Sequence, residues 1–481
     1  MSLTGRRKII VPFDSITKEN LATILKLALP IHLTNAQEMT YLYNYYKGIQ
    51  PVLARKKDVR PEICNKIVVN LAQEIVSFKT GYLLWKPIQY VGRKENVSQE
   101  GLALLGDFIV NDCKDSKDKK LANDQSICGI GELYIRPNTR YDRLNEEEAP
   151  YETIVIDPRL AFAIYSSTVG NKKIGGVILD CYMENGNLIW RCQVFTETEY
   201  FVIKNNDYVI LESGENQLGE IPVIEYPLNE DRMGDFEVVL PLLDSVNLTI
   251  SNQLDGLEQF IQALMVFKNV DIDSASFKQL KELGAIKIKD NTDGTKTIEA
   301  SVSYLNQELN QTQVNSMVKA QCQFIREIVG MPAQADGTTN DGSNNGAQVL
   351  KGGWYSAEAR TSNTEMIFKR SEKESLRIIL YICNVMTLGY FNLKLSDLDI
   401  KFTRRNYEDI LAKAQVLVQL LQTNKVAPRL AFMTCGLFTD PDQAFIESEQ
   451  YVKDLRELTT QQALQIAQNN NKESEEVVNE N

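Results

Sequence analysis

The chain contains a single histidine, His32, in 481 residues. Any histidine-based catalysis would depend on that one side chain, and a zinc site with two histidines is impossible. The eight cysteines form no C-x-x-C pair and are typical of reduced thiols that fill a core. The sequence also has no apolar run long enough to cross a bilayer, and its basic start lacks the apolar region of a signal peptide. We therefore expect neither a membrane span nor a secretion signal.

Motifs for nucleotide chemistry are missing as well. No G-x-x-x-x-G-K-[ST] phosphate loop occurs, and the nearest stretch, 346–353, ends in Gly-Gly instead of Lys-Ser/Thr. Gly129 and Gly131 lie after a predicted helix and before a predicted strand, which is the wrong order for a dinucleotide loop. We predict that the chain is not an enzyme and needs no cofactor or metal.

The charge balance is acidic, with 52 Lys and Arg against 64 Asp and Glu and a net charge of −12. An acidic surface repels nucleic acid on average, which disfavours a DNA-clamping protein. A modest acidic excess also serves solubility alone, so charge does not decide between partners. The length exceeds what one core usually supports, so we expect at least two modules.

Hydrophobic periodicity predicts the α+β class. Residues 1–128 are predicted to be mainly helical, with Ile67, Leu71, Ile75 and Phe78 on one helix face before a strand at 84–91. Residues 130–226 contain short runs of Ile, Val, Tyr and Phe between turn residues. Asn185-Gly186 is the preferred pair for a two-residue hairpin turn. These features predict an antiparallel β module after a helical start.

A long helix is predicted over 236–268. Its apolar residues recur at a mean step close to the repeat of about 3.5 in a coiled coil, and they are Leu240, Leu243, Val246, Ile250, Leu254, Leu257, Ile261 and Leu264. Asp244, Asp255 and Glu258 fall outside this stripe. An ordinary core helix produces a similar stripe, so packing within one chain and packing between chains both remain open.

Shorter elements complete the pattern. We predict an insert over 270–306 with a hairpin at Asp293-Gly294, then a helix over 307–329 and a polar loop over 333–347. Further elements are predicted at 348–388 (helix), 398–405 (strand), 407–423, 428–435 and 441–458 (helices). The Gln-, Asn- and Glu-rich end is predicted to be disordered.

This element order resembles the siphophage-type branch of the portal, or head-to-tail connector, family of tailed double-stranded DNA bacteriophages. Three stretches carry the local resemblance: Asn65–Tyr90, Gly234–Phe267 and Asn345–Lys351. The resemblance extends over most of residues 35–405. The family's usual Ser-Gly before the long helix is Asn345-Gly346 in this chain.

The resemblance implies a portal fold with a wing, a helical stem, a small αβ clip and a helical crown. The corresponding ranges are 1–235 for the wing (helical over 1–128, β-rich over 130–226), 236–268 for the first stem helix, 269–306 for the clip, 307–330 for the second stem helix, 331–349 for a tunnel loop, 350–405 for a long helix returning to the wing, 406–460 for the crown and 461–481 for a disordered tail.

The same resemblance implies a ring at one capsid vertex, a homododecamer in the virion, through which double-stranded DNA is packaged and ejected. Expected partners are the terminase large subunit, a head-completion adaptor, the scaffold and the major capsid protein, with assembly in the host cytoplasm.

Site residues follow from this mapping. The tunnel loop would present Asn340, Asp341, Asn344, Asn345 and Lys351 to DNA. The channel would be lined by Asp244, Asp255 and Glu258. Stem packing and oligomerisation would use Leu243, Ile250, Leu254, Leu257 and Ile261. Clip docking would use Lys289, Asp293, Gly294 and Lys296.

Two other classes remain open at this point. One is a different phage structural protein with a long coiled-coil stem. The other is a packaging enzyme, which the missing phosphate loop disfavours.

Overall fold

The computed structural model of the protein describes residues 5–93, 98–142, 148–184, 187–204, 208–261, 264–268, 291–293, 296–298, 301–305, 311–332, 353–404, 410–423, 425–438 and 441–479. The chain divides into two compact units. Unit 1 comprises Met1–Thr40, Val76–Asp235 and Gly330–Asn481, and unit 2 comprises Tyr41–Ile75 and Phe236–Val329. Helices and sheets are both present, so the predicted α+β class is confirmed.

The helices, in chain order, are α1 (Leu21–Tyr46), α2 (Leu71–Leu83), α3 (Gln99–Asn111), α4 (Lys114–Cys128), α5 (Leu240–Ile261), α6 (Gln311–Val329), α7 (Trp354–Met386), α8 (Ile410–Gln422), α9 (Pro428–Cys435) and α10 (Pro441–Asn479). The strands are β1 (Ile9–Val11), β2 (Gln89–Gly92), β3 (Ile130–Pro137), β4 (Tyr151–Ile156), β5 (Ala161–Ser166), β6 (Lys173–Glu184), β7 (Asn187–Phe195), β8 (Glu199–Lys204), β9 (Val209–Glu215), β10 (Val223–Pro227), β11 (Leu264–Lys268), β12 (Asn291–Asp293), β13 (Lys296–Ile298), β14 (Ser301–Leu305) and β15 (Leu398–Lys401).

Unit 1 contains the predicted β module. Its larger sheet has the order β1-β5-β6-β7-β8-β9, and a second sheet has the order β10-β3-β4. Neighbouring strands are antiparallel, which confirms the prediction for 130–226, except that β1 joins β5 in parallel. The sequence did not predict β1, β9 or β10. The hairpin turn predicted at Asn185-Gly186 lies outside the described residues, between the paired strands β6 and β7.

Two apolar cores hold unit 1 together. In the first, α7 packs Phe368, Leu376 and Ile379 with Leu133 of β3 and Tyr226 of β10. These α7 positions are spaced by eight and three residues, so they share one helix face. In the second core, Ile24, Leu25 and Ala28 of α1 cover the larger sheet. In both cores, the buried helix residues are ones whose helical spacing is visible in the sequence.

A charged cluster lies inside the first core. Lys114 Nζ is 2.7 Å from Asp118 Oδ1 and 3.0 Å from Glu372 Oε1. The hydroxyls of Tyr90 and Tyr226 donate to the two oxygens of Glu372. Burial, opposed by the charge of Lys114, raises the pKa of Asp118 above its usual range. The cluster therefore joins α4, α7, β2 and β10 through one cation shared by two carboxyl groups.

Gly129 ends α4 in a conformation that suits only glycine. Its φ is +81°, and its N–H bonds to the Gln125 carbonyl. A Cβ at this position would lie 2.1 Å from the backbone oxygen of Arg232. Gly129 thus acts as a helix cap in a close backbone approach, which agrees with the sequence argument against a dinucleotide loop.

Unit 2 is built around the helices α5 and α6. It also contains a short 3-10 turn at Pro51–Ala54 and the segment 64–70, which has no helical hydrogen bonds. β11 pairs antiparallel with β14, and β12 pairs antiparallel with β13. The hairpin predicted at Asp293-Gly294 is consistent with this pairing, although Gly294 lies outside the described residues.

Several predicted boundaries are wrong. Ile67 precedes α2, which begins only at Leu71, and β2 begins at Gln89 instead of 84. The first stem helix ends at Ile261, and 264–268 forms a strand because the chain there pairs with β14. The long helix predicted from 348 begins at Trp354, after Gly353 with a φ of +76°. The predicted tail is helical as far as Asn479, since Gln and Glu favour helices and no Gly or Pro follows Pro441.

Candidate functional site

The predicted stem helix α5 buries the expected apolar stripe only in its first part, where Leu240, Leu243 and Val246 are enclosed. Of the predicted packing residues, Leu243 is buried, Ile250 and Leu254 are half-buried, and Leu257 is 39% exposed. Nothing is described for the Ile261 side chain. The buried face instead carries Asn247, Ser251 and Asp255, whose side chains are almost completely enclosed.

These three polar residues form a ladder along segment 64–70. Asn247 Oδ1 accepts the Val69 N–H at 2.7 Å, and Ser251 Oγ accepts the Ile67 N–H at 3.0 Å. Asp255 Oδ1 accepts the Asn65 N–H at 2.7 Å.

The ladder works because two periodicities agree. In an extended chain every second N–H group points in the same direction, and two such groups are about 6.6 Å apart. Every fourth residue of an α-helix rises about 6.0 Å. The residues on α5 are spaced by four and those on segment 64–70 by two, so donors and acceptors stay in register. This ladder also explains why Ile67 is not helical, because its N–H bonds to α5.

Asp255 is the charged end of the ladder. Its Oδ2 lies 2.9 Å from both Arg55 Nη2 and Lys57 Nζ. Burial opposes ionisation, but the hydrogen bonds from Asn65 and Lys57 and the charge of Arg55 outweigh it and hold the pKa of Asp255 below its usual range. A carboxylate enclosed by its own chain has no face for a channel, so the predicted channel-lining role of Asp255 is corrected to a structural one.

The other two acidic residues are more accessible. Asp244 and Glu258 are half-buried. The Tyr45 hydroxyl donates to Asp244 Oδ1 at 2.8 Å. Burial raises the pKa of Asp244, and the bond from Tyr45 offsets only part of this. Burial and the neighbouring Asp244 also raise the pKa of Tyr45. Asp244 thus retains one exposed side while it anchors Tyr45.

Polar contacts link α5 and α6. Gln321 Nε2 donates to Ser245 Oγ at 2.9 Å, and Gln253 Nε2 donates to Asn315 Oδ1 at 3.0 Å. Large apolar side chains remain uncovered on these two helices, and they are Leu248, Leu257, Met317, Phe324 and Ile328. The exposure reaches 54% for Met317 and Phe324. On α6, Met317, Phe324 and Ile328 share one face, whereas Leu248 and Leu257 lie on opposite faces of α5. An exposed apolar face such as that of α6 is typical of a surface that another protein covers.

The remaining predicted site residues are described only in part. Asn340, Asp341, Asn344, Asn345 and Lys351 lie outside the described residues, as do Lys289 and Gly294. Asp293 and Lys296 occupy opposed positions in the β12–β13 pair. Of the predicted tunnel-loop and clip residues, the structure therefore describes only Asp293 and Lys296.

No catalytic arrangement appears around the single histidine. His32 is buried, stacks on Phe162 with ring centroids 4.3 Å apart, and bonds through Nε2 to the Arg159 carbonyl at 2.9 Å. Among the described residues, no group of three or more His, Cys, Asp and Glu is placed to hold a metal ion. In the same part of the chain, no helix combines the length and apolar character that crossing a membrane requires.

The sequence argument missed the ladder and its basic partners Arg55 and Lys57. The spacing of Asn247, Ser251 and Asp255 by four residues was the available signal, because it marks a polar stripe beside the apolar one. Its partners are about 180 to 190 residues away along the chain, and no local pattern identifies them.

Uncovered apolar side chains on a pair of helices are typical of a protein that assembles with other chains. The family model of phage portal proteins of the SPP1 Gp6-like type matches residues 25–475. The chain belongs to this family, whose members are structural and not enzymatic components of the capsid. No curated protein matches the chain.

Proposed function

We propose that copies of this chain assemble into the ring-shaped portal at one capsid vertex, and that genome DNA passes through the ring during packaging and ejection. Membership of the portal family supports the ring. The observation that carries the proposal is the exposed apolar surface of α5 and α6, which would be costly in water and is stabilised when another copy covers it.

Within this proposal, the stem residues divide into two groups. Leu257 is exposed in one chain, and Ile250 and Leu254 are half-buried, so they are available to a neighbouring copy. Ile261 continues the same stripe in the sequence. Leu243 is buried in its own chain and supports α5 instead of contacting a neighbour.

The channel would be lined by acidic side chains. Asp244 and Glu258 retain exposed surface on α5, and the chain as a whole carries a charge of −12. Repulsion between carboxylates and phosphates keeps a duplex from binding to the wall, whereas a basic wall would hold it. The acidic balance therefore favours sliding over binding.

The tunnel loop, 331–349, would be the segment that touches DNA. Its polar sequence includes Asn340, Asp341, Asn344 and Asn345, which have no apolar side chain to pack. Lys351 at its base would contact a phosphate. Such a sequence lacks the apolar side chains that would fix it in a core, so the loop would be able to follow moving DNA.

Other proteins would dock at the ends of the ring. The clip, 269–306, would present Lys289, Asp293, Gly294 and Lys296 to the terminase large subunit during filling and to the head-completion adaptor afterwards. The wing, 1–235, would meet the scaffold and the major capsid protein during assembly in the host cytoplasm. The terminase would hydrolyse the ATP, since the chain has no phosphate loop.

The test replaces Leu257 with Asp and measures the mass of the assembly by light scattering. The proposal expects the Leu257→Asp chain to remain folded and to lose most of its ring-sized species, because a charge would be buried without a partner. The control is Val59→Asp, another exposed apolar residue of unit 2. If Leu257→Asp formed as many rings as the wild-type chain, or if both variants lost rings equally, the assignment of Leu257 to the interface would be wrong.

A further inference from the structure

The helices α8, α9 and α10 form a small module with little core of its own. Only Leu417, Ala431, Phe432 and Cys435 are buried in its apolar cluster. Eleven of the 36 large apolar side chains that are exposed in the described part of the chain fall between Val416 and Leu458. A module of this size with so few buried residues gains little stability from its own packing.

The third helix of the module, α10, extends beyond the residues that pack against the cluster. Ala444 and Phe445 of α10 contact the cluster, and Phe432 packs edge-on against Phe445 with ring centroids 5.9 Å apart. From Glu449 to Gln462 every side chain of α10 is exposed. A helix gains most of its stability in water from packing of an apolar face, so an unpacked stretch of this length requires a partner.

The exposed stretch carries an apolar stripe. Tyr451, Leu455 and Leu458 are separated by four and three residues and therefore lie on one face. Their exposed fractions are 66%, 49% and 56%. Ala444 and Ser448 precede them on the same face, so the stripe continues the surface with which α10 already packs on its own module.

A second uncovered apolar face lies on α8. Leu417 and Leu420 face the cluster, and Val418 and Leu421 each follow one residue later and are exposed. Val418 and Leu421 are three residues apart and share a face. The module thus has two different apolar surfaces, one on α10 and one on α8, and neither is covered by described residues of the chain.

We infer that the α10 stripe of one copy packs on the α8 face of the next copy. This inference rests on the proposed ring. Two different surfaces that fit each other in a head-to-tail manner generate a ring when the rotation between neighbouring copies closes, whereas one self-complementary surface would stop at a dimer. A second copy is the occupant because the portal family to which the chain belongs forms rings of identical chains, so each chain has neighbouring copies that carry both surfaces. The contact is independent of α5 and α6.

The test uses two complementary variants. The first carries Leu455→Lys and Leu458→Lys, and the second carries Val418→Glu and Leu421→Glu. Each variant alone places charges against an apolar face, so we expect the concentration at half-assembly to rise at least about tenfold, as measured by light scattering.

An equimolar mixture of the two variants should recover assembly. The Lys stripe of the first then meets the Glu face of the second, and the remaining contacts are unchanged, so the two chains alternate around an even-numbered ring. Ile446→Lys, on another face of α10, is the control and should assemble like the wild-type chain. Circular dichroism checks that all variants remain folded.

The outcomes separate this inference from the ring itself. Variants that assemble like the wild-type chain would show that these faces are not an interface between copies. Variants that fail alone and also fail when mixed would show that the two faces do not meet. A wild-type chain that never assembles would instead overturn the proposed ring, and this contact with it.

Discussion

The helix α7 of unit 1 and the helix α5 of unit 2 are fixed to their own units in different ways. In unit 1, α7 buries Phe368 and Ile379 and exposes Lys373 and Arg377. In unit 2, the fully buried face of α5 carries Asn247, Ser251 and Asp255, while Leu257 and Phe324 are exposed.

The difference shows that apolar packing and a polar ladder can each fix a helix to its own unit. Around α1 and α7, unit 1 encloses large apolar side chains in two cores, whereas its helices α8 to α10 leave an apolar surface outside. Unit 2 encloses a polar ladder that fixes segment 64–70 and leaves an apolar surface outside. Such a surface is costly in water and is stabilised when another copy covers it, so we expect both unit 2 and the helices α8 to α10 to take part in assembly.

The largest effect is expected from a substitution that disrupts the buried charged cluster of unit 1. Lys114→Met leaves Asp118 and Glu372 buried without a cation, which should cost about 4 kcal/mol of the free energy of unfolding. The loss should grow as the pH rises, because burial without a cation disfavours the ionised form of Asp118 and so raises its pKa. Urea unfolding of the dissociated chain measures this, with the exposed Lys119→Met as control. Equal midpoints for the two variants would show that the cluster contributes nothing.

Two leucine substitutions in α5 compare a buried position with an exposed one. Leu243→Ala removes buried side-chain atoms and should lower the free energy of unfolding of the dissociated chain by about 3 kcal/mol. Leu257→Ala removes exposed atoms and should change it by less than about 0.5 kcal/mol. Leu257→Ala should weaken ring assembly, even though it hardly changes the stability of the dissociated chain. If Leu257→Ala destabilised the dissociated chain as strongly as Leu243→Ala, the division of α5 into two faces would be wrong.

The smallest expected effect concerns pH and the core of unit 1. Burial lowers the pKa of His32 from 6.5 to about 4. Between these values the unfolded chain binds a proton that the folded chain does not, so stability is lost as the pH falls from 6.5 towards 4. At pH 5 this should amount to about 2 kcal/mol. His32→Gln, which can still donate to the Arg159 carbonyl, should flatten this part of the profile. An unchanged slope would mean that His32 is not the group responsible.

The sequence predicted most of the strands of unit 1 for a physical reason, although it did not predict β1, β9 or β10. Strands such as β4 alternate buried and half-buried residues, and this period of two is visible without any partner. The helices α8 and α9 were likewise predicted within a few residues, because Pro428 and the turn around Gly436 mark boundaries.

The sequence predicted the buried face of α5 as far as Val246 but not beyond it. From there on, the apolar stripe and the polar stripe both have helical spacing, and only the distant segment 64–70 decides which one is buried. The strand at 264–268 was missed for a related reason, since its partner lies in β14 across the insert. Contacts with residues far along the chain override local periodicity in both cases.

The most direct test of the account is electron microscopy of the purified wild-type chain, imaged at concentrations above and below the onset of assembly. We predict annular particles with a central hole wide enough for a DNA duplex, and their loss when Leu257 is replaced with Asp. Compact single chains or thin rods under all conditions would contradict the central claim that the exposed apolar surface of unit 2 builds a ring.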